Sequence, residues 1–175
     1  GSCFPKDINA LIDTQKKYNL ESGILEKTKL VNDRQVKIFC KKILSKLTGN
    51  LSDKTLSIWG LSFKPNSDDV RESIAIKLVS ILSPKVKFLN LYDPISNKQA
   101  ERALSKIDNV KFFNEKYEAT FKTDALIICT EWKEFWDVDV LKLELMHNKL
   151  IFDGRNILDK EKMNSLHIEY YGIGT

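Results

Sequence analysis

A cysteine near the start of the chain has the surroundings of a reactive thiol. Cys3 stands just before a helix predicted to open at Pro5, and Lys6 and Asp7 follow within one turn. A helix N-terminus and a nearby cation both favour the thiolate, the nucleophilic form of cysteine. Asp7 is close enough along the chain to steer a water molecule. The alternative interpretation is that Cys3 has no functional role, which is the more common case for a cysteine near a terminus.

Two basic residues stand in turns where an anionic ligand can bind. Lys64 precedes Pro65, which biases Lys64 towards an extended backbone and presents its ammonium as a point charge suited to phosphate. Arg155 belongs to the sharp turn Asp153-Gly-Arg-Asn156, where its guanidinium is either a fork for phosphate or half of a structural ion pair. A solvated lysine is the plain alternative for Lys64.

Arg71 is a third basic residue in an unusual place. It falls in the first turn of a helix predicted over residues 72–82, with Ser67, Asp68 and Asp69 as candidate caps. A cation there opposes the helix dipole, which indicates either an anionic partner or a salt bridge to Asp68.

The elements that must position these residues alternate between short apolar segments and helices. The first 48 residues are predicted to be helical, with a break at Gly23, a capping box at Asn32 and an apolar stripe that ends at Gly49. Strands are then predicted at residues 55–60, 86–92, 110–113, 125–129, 150–153 and 167–171. This pattern predicts an α/β fold, a Rossmann-like, doubly wound and mainly parallel sheet of about six strands preceded by an α-helical segment. Ligands bind beyond the carboxyl ends of such strands.

Composition excludes several classes of protein. The chain has 175 residues, 42% of them hydrophobic, with nine Phe, five Tyr and three Trp to fill a core, so disorder is excluded. The net charge is +4, but the lysines are spread along the chain, so nucleic-acid binding is not expected. No apolar run approaches a membrane span and no leader opens the chain, which predicts a cytoplasmic protein without membrane contact. Three scattered cysteines and two histidines predict no metal site.

The first crossover lacks the three glycines of a dinucleotide fingerprint. Gly60 ends the first predicted strand, and no second glycine follows within the crossover. This half of the molecule is therefore not expected to bind NAD in the ordinary way.

Together the motifs resemble the UDP-glucose 6-dehydrogenases of the UDP-glucose/GDP-mannose dehydrogenase family. They follow the family's order along essentially the whole chain, so the set is specific although each motif alone is weak. The motifs are Ser2-Cys-Phe-Pro-Lys-Asp7, Gly60-Leu-Ser-Phe-Lys-Pro-Asn-Ser-Asp-Asp-Val-Arg-Glu-Ser73, Tyr92-Asp-Pro94, Thr130-Glu-Trp-Lys-Glu-Phe135, Phe152-Asp-Gly-Arg-Asn156 and Gly172-Ile-Gly174.

The resemblance implies an NAD-dependent oxidation of UDP-glucose to UDP-glucuronate. In that family a cysteine captures the C6 aldehyde, a second hydride transfer gives a thioester, and water hydrolyses it. The positions that match the catalytic residues are Cys3, the nucleophile, and Asp7, which assists water. The positions that match NAD-binding residues are Cys3, Phe4, Pro5, Lys6 and Arg71. The positions that match substrate-binding residues are Phe63, Lys64 and Arg155.

The resemblance covers only the later part of the family's machinery. The chain opens inside the cysteine motif, without the family's NAD-binding Rossmann domain and most of its long central helix. Residues 1–48 are then the remnant of the central helical region, and residues 49–175 the C-terminal UDP-sugar-binding domain. We expect the chain alone to be inactive, and the full-length enzyme to be a homodimer or larger homo-oligomer.

Two other interpretations remain open at this stage. One is the same region of a sister enzyme that oxidises GDP-mannose or a UDP-N-acetylhexosamine, although the Thr-Glu-Trp and Asp-Gly-Arg-Asn motifs favour UDP-glucose. The other is a nucleotide-binding module without catalysis, in which Cys3 is incidental.

Overall fold

Six parallel strands form the centre of the fold. The computed structural model describes residues 3–21 and 23–174, with only the backbone of Cys3. The strands are β1 (Thr55–Trp59), β2 (Phe88–Tyr92), β3 (Val110–Phe112), β4 (Ala125–Ile128), β5 (Leu150–Asp153) and β6 (Glu169–Gly172). Their order in the sheet is β3-β2-β1-β4-β5-β6. The predicted Rossmann-like, doubly wound sheet is confirmed.

Two helices precede the sheet and five short ones connect its strands. They are α1 (Cys3–Lys17), α2 (Gly23–Lys46), α3 (Ile74–Leu82), α4 (Asn97–Ala103), α5 (Lys116–Thr120), α6 (Val140–Leu143) and α7 (Lys160–Ser165). Helix α2 begins at Gly23, so Asn32 lies inside it and the predicted capping box is wrong. No helix among the described residues combines the length and apolar character needed to cross a membrane.

Alternation of side chains along the strands supplies two cores, one on each face of the sheet. On β1, Leu56 and Ile58 enter the core beneath α2 and α3, whereas Trp59 enters the core that contains residues of α5, α6 and α7. All four residues of β4 are buried, as its uninterrupted apolar sequence predicts for a central parallel strand.

The second half of α2 belongs to the first of these cores. Phe39, Cys40 and Ile43 are nearly or fully buried, and they join residues of β1 and α3 in one apolar cluster. The predicted burial of the Cys40 thiol is therefore confirmed, and this burial raises its pKa. The division of the chain after residue 48 stays a prediction, but the two parts share this core.

Candidate functional site

The strand order reverses between β1 and β4, and this reversal creates a crevice at the carboxyl edge of the sheet. The turns after β1, β4 and β5 begin there in register. Cys129 N donates to the Trp59 carbonyl at 2.9 Å, and Gly154 N donates to the Ile128 carbonyl at 2.9 Å. Each bond extends the ladder by one step, so the three turns start close together.

Gly60 lets the turns after β1 and β4 approach within contact distance. Its φ of +86° is a left-handed value, and a Cβ atom would stand 2.6–2.8 Å from three atoms of Thr130. Thr130 Oγ1 in turn donates to the Ser62 carbonyl at 2.6 Å. The exit of β1 is thereby joined to the exit of β4.

Replacing Gly60 with alanine is expected to lower the free energy of unfolding by about 2–4 kcal/mol, because left-handed strain and overpacking add. Gly49→Ala is the matched control, since Gly49 has φ +81° but its nearest neighbour is Lys54 Cε at 3.9 Å. That variant should lose only the strain, about 1 kcal/mol. Urea unfolding measures both. Equal losses would show that contact with Thr130 does not require glycine.

Asp93, which the sequence predicts only as part of a turn, is the centre of a buried hydrogen-bond network. The residue follows β2 directly and is 2% exposed. Its six donors are Leu61 N (2.7 Å), Ser62 N (3.1 Å), Ser62 Oγ (3.2 Å), Trp132 Nε1 (3.2 Å), Ile95 N (3.0 Å) and Ser96 N (2.8 Å). One carboxylate therefore holds the turns after β1, β2 and β4.

Asp153 plays the corresponding part at the end of β5. It is fully buried, and its carboxylate accepts four hydrogen bonds. The donors are Arg155 N (2.9 Å), Ile157 N (2.8 Å), Leu158 N (3.0 Å) and the Tyr170 hydroxyl (3.0 Å). These bonds fix the backbone of the turn, so the direction in which Arg155 leaves it is fixed as well.

The guanidinium of Arg155 lies against the turns after β1 and β4. Its Nε donates to the Cys129 carbonyl at 2.7 Å, and one terminal nitrogen reaches the Phe63 carbonyl at 3.5 Å. Glu131 Oε2 lies 3.0 Å from the same Nε, but off the N–H direction, so this contact is an ion pair and not a second hydrogen bond. The side chain remains 28% exposed. Of the two alternatives for Arg155, an ion pair is present, and the exposed part can still meet an anion.

A cavity of about 760 Å³ opens beside this guanidinium, between α2 and α3. Arg155 and Phe63 line it from the carboxyl edge of the sheet, and Phe4 and Pro5 line it from the start of α1. Apolar side chains such as Ile74 form much of its wall. Four predicted site residues, which come from three distant segments of the sequence, thus meet in one cavity.

The remaining predicted site residues lie outside the lining of this cavity. Lys6 and Asp7 are exposed on α1. Lys64 is also exposed, with its ammonium 5.3 Å from the centroid of the Phe63 ring, which places it at the rim. The side chain of Cys3 is outside the described atoms, although its backbone begins α1.

Arg71 corrects two details of the sequence prediction. Helix α3 is capped by Ser73, whose hydroxyl accepts from Ala75 N at 3.2 Å, so Arg71 precedes the helix and does not lie in its first turn. Its partner is Asp69 instead of Asp68, through two hydrogen bonds of 2.9 and 2.8 Å. These bonds hold the pKa of Asp69 below its usual value. The Arg71 side chain is 86% exposed.

A second depression lies at the opposite, amino edge of the sheet. It has a volume of about 330 Å³ and is lined by Lys46, His147, Lys149 and His167, among others. Within the described residues, no group of three or more His, Cys, Asp or Glu side chains is placed to hold a metal ion.

Comparison with known proteins gives a family match over most of the sheet. Residues 57–160 match the UDP binding domain of the UDP-glucose/GDP-mannose dehydrogenase family. The UDP-glucose 6-dehydrogenase of Rickettsia typhi is 35% identical over 176 residues, which cover 100% of this chain and 40% of that protein.

Two solved structures share the fold over nearly the whole chain. A UDP-glucose dehydrogenase from Pyrobaculum islandicum has a TM-score of 0.77 at 26% identity, covering 98% of this chain and 37% of its own. A UDP-D-ManNAc dehydrogenase from Pyrococcus horikoshii has a TM-score of 0.79 at 26% identity, covering 99% and 38%. The chain spans about two-fifths of the length of these relatives.

Proposed function

The chain belongs to the UDP-glucose/GDP-mannose dehydrogenase family, and from that premise we propose that it binds the uridine diphosphate part of UDP-glucose for a UDP-glucose 6-dehydrogenase. The observation that carries the proposal is the cavity beside Arg155. There two of the three substrate-binding candidates, Phe63 and Arg155, meet Phe4 and Pro5 of the cysteine motif. A nucleotide sugar held by the first pair would reach towards the second.

The chemistry of these side chains suits a sugar diphosphate. The guanidinium of Arg155 can donate to a diphosphate through the nitrogens that the protein uses weakly, since only its Nε makes a short hydrogen bond. Lys64 at the rim adds a mobile positive charge. Phe63 offers an aromatic ring beside them, and a planar base or an apolar sugar face can pack against such a ring.

For the oxidation itself we propose Cys3 as the nucleophile and Asp7 as the residue that steers water. Cys3 is the first residue of α1, so its backbone lies at the positive end of the helix dipole. Phe4 and Pro5, its chain neighbours, already line the cavity. The thiolate would add to the sugar aldehyde to give a thiohemiacetal. Oxidation of this adduct, with NAD as the hydride acceptor, would give a thioester, and water would hydrolyse the thioester to the acid and the free thiol.

In this proposal NAD would be the hydride acceptor. The crevice at the carboxyl edge of the sheet does not fit NAD in the manner of an ordinary dinucleotide site. The N–H groups of Leu61 and Ser62, which would face a pyrophosphate, already donate to Asp93. The candidate contacts for NAD on this chain are therefore at its edge, along Cys3–Lys6 and at the exposed Arg71. The main NAD site, dimer formation and turnover are assigned to the full-length protein, and the chain alone is proposed to be inactive.

The location of the nucleotide can be tested by nuclear magnetic resonance. UDP added to the isotope-labelled chain should shift amide signals of residues 60–64, 129–132 and 153–156, which surround the Arg155 end of the cavity. Residues 147–149 and 167–169 at the amino edge serve as the internal control and should not move. Shifts confined to the amino edge would overturn the proposed site, and the absence of any shift would overturn UDP binding.

Iodoacetamide should label Cys3 about tenfold or more faster than the other two cysteines. Cys40 and Cys129 are each only 3% exposed, and burial raises the pKa of both thiols, to about 12 for Cys129. Both therefore stay protonated and covered at neutral pH. Mass spectrometry of timed samples measures the three rates, with Cys3→Ser as the control that removes the fast reaction. Equal rates at all three sites would contradict the assignment of Cys3 as a reactive thiol.

A further inference from the structure

Asp93 stands at a position that dinucleotide-binding folds use for ligand contact. In folds with this strand order, an acidic residue near the end of the second strand faces the ribose of the bound dinucleotide. Asp93 follows β2 directly, but it is 2% exposed and directs its carboxylate into the protein. The residue is thus buried under the turns that would otherwise surround a ligand.

The donors that meet this carboxylate are the ones that a phosphate would use. The turn after β1 presents the N–H groups of Leu61 and Ser62 to Asp93 Oδ2, at 2.7 and 3.1 Å, and the Ser62 hydroxyl adds a third donor at 3.2 Å. In dinucleotide-binding folds the N–H groups of this turn point at a pyrophosphate. The carboxylate of Asp93 therefore acts as an anion built into the chain.

A tryptophan from the other side of the crevice completes the arrangement. Trp132, in the turn after β4, donates its indole N–H to the same Oδ2 at 3.2 Å and is 7% exposed. The second oxygen of Asp93 is used by its own turn. The Thr130-Glu-Trp motif thus donates a hydrogen bond to a carboxylate oxygen of the Tyr92-Asp-Pro motif.

The turn held in this way carries the candidate ligand-binding residues. Ser62 directly precedes Phe63 and Lys64, and its carbonyl accepts from Thr130 at 2.6 Å. The Phe63 carbonyl accepts from a terminal nitrogen of Arg155 at 3.5 Å, and Phe63 N donates to the Asp69 carbonyl at 3.0 Å. A change at Asp93 therefore reaches Phe63 through the adjoining residue, Ser62, which donates to Asp93.

We propose that Asp93 is a positioning residue: its carboxylate replaces a bound phosphate in the first turn, and so fixes Phe63 and Lys64 in the geometry that binds the nucleotide sugar. The inference rests on the proposed function, because it concerns the same site. It also explains how a turn without the glycine fingerprint keeps a defined shape with no dinucleotide to order it.

The test compares Asp93→Asn with Asp124→Asn. Asp124 is the matched control because it is also a buried carboxylate, 7% exposed, that accepts from Lys54, Thr55 N and Asn148, but at the amino edge of the sheet. UDP affinity is measured by calorimetry and amide hydrogen exchange by nuclear magnetic resonance, at a temperature where both variants are folded. Asp93→Asn should weaken UDP binding about tenfold or more and speed exchange at Leu61 and Ser62. Asp124→Asn should leave UDP affinity within about twofold.

A rescue experiment tests whether the Asp93 carboxylate acts through its negative charge or only by filling space. In Asp93→Ala, formate fits the space left by the carboxylate, so formate should restore UDP affinity towards the unsubstituted value. Neutral formamide, with chloride added to equal ionic strength, should not. If the unsubstituted chain binds UDP and both asparagine variants bind it equally well, the positioning role is wrong. Restoration by formamide, or no restoration by formate in a folded variant, would contradict the role as an anion. If the unsubstituted chain itself fails to bind UDP, the proposed function fails first, and unchanged exchange at Leu61 and Ser62 would then overturn the inference separately.

Discussion

Replacing Asp153 with alanine is expected to lower the free energy of unfolding by about 4 kcal/mol or more. The change leaves three backbone N–H groups and the Tyr170 hydroxyl without their acceptor, at a position with no exposure to water. Each buried donor that loses its partner costs about 1–3 kcal/mol. Domains of this kind are stable by about 5–15 kcal/mol in total, so the variant should unfold at markedly lower urea.

Asp159→Ala is the control for the Asp153 prediction. Asp159 is an exposed aspartate at the start of α7, where it accepts one hydrogen bond from Lys162 N at 3.0 Å. Losing such a cap costs about 1 kcal/mol. Urea unfolding of both variants, followed by circular dichroism, makes the comparison. A loss at Asp153 no larger than the loss at Asp159 would show that the turn after β5 does not depend on the buried carboxylate.

Replacing Arg155 with alanine is expected to weaken UDP binding by about 10–100-fold. Charge-assisted hydrogen bonds contribute about 1.5–3 kcal/mol, and each 1.4 kcal/mol is a factor of ten in affinity. Arg155 is the one arginine that lines the 760 Å³ cavity within the described residues. The UDP affinity of Arg155→Lys should lie between those of Arg155→Ala and the unsubstituted chain, because lysine keeps the charge but loses the planar fork.

Arg102→Ala tests whether the loss is local. Arg102 is an exposed arginine in the last turn of α4, so replacing it with alanine removes the same charge from a distant surface. Calorimetric titration with UDP should give an unchanged affinity for this variant. If Arg155→Ala is folded and binds UDP as well as Arg102→Ala does, then Arg155 has no part in nucleotide binding.

The sheet was largely predictable because each strand is a short apolar segment between turn residues. Ala125–Ile128 shows why: four buried residues in a row leave a central parallel strand as the simplest structure. Short helices were less predictable. Helix α7 has six residues and one buried side chain, Met163, so its sequence contains hardly any periodic signal.

The site was only half predictable, for reasons of register and partner choice. Phe63 and Arg155 could be found from motifs, but their meeting with Phe4 depends on how α1 and α2 pack, which no local pattern contains. The sequence marks Asp93-Pro as a turn. That six donors converge on Asp93 depends on the relative positions of β1, β2 and β4.

Partner choice also explains the correction at Arg71. The sequence offers two adjacent aspartates, and the direction of each side chain depends on the turn that precedes α3. In that turn Ser67 accepts from Asp69 N at 3.1 Å, and Asp69 accepts from Arg71 N at 2.9 Å. The Asp68 carboxylate instead accepts from Gln99, at 2.6 Å.

Calorimetric titration of the chain with UDP, UDP-glucose and GDP-mannose tests the central claim most directly. UDP and UDP-glucose should both bind, because Arg155 in the cavity and Lys64 at its rim face the diphosphate that the two ligands share. GDP-mannose should bind about tenfold or more weakly, because its larger base must fit the same walls. Binding of GDP-mannose with no response to UDP or UDP-glucose would contradict the claim.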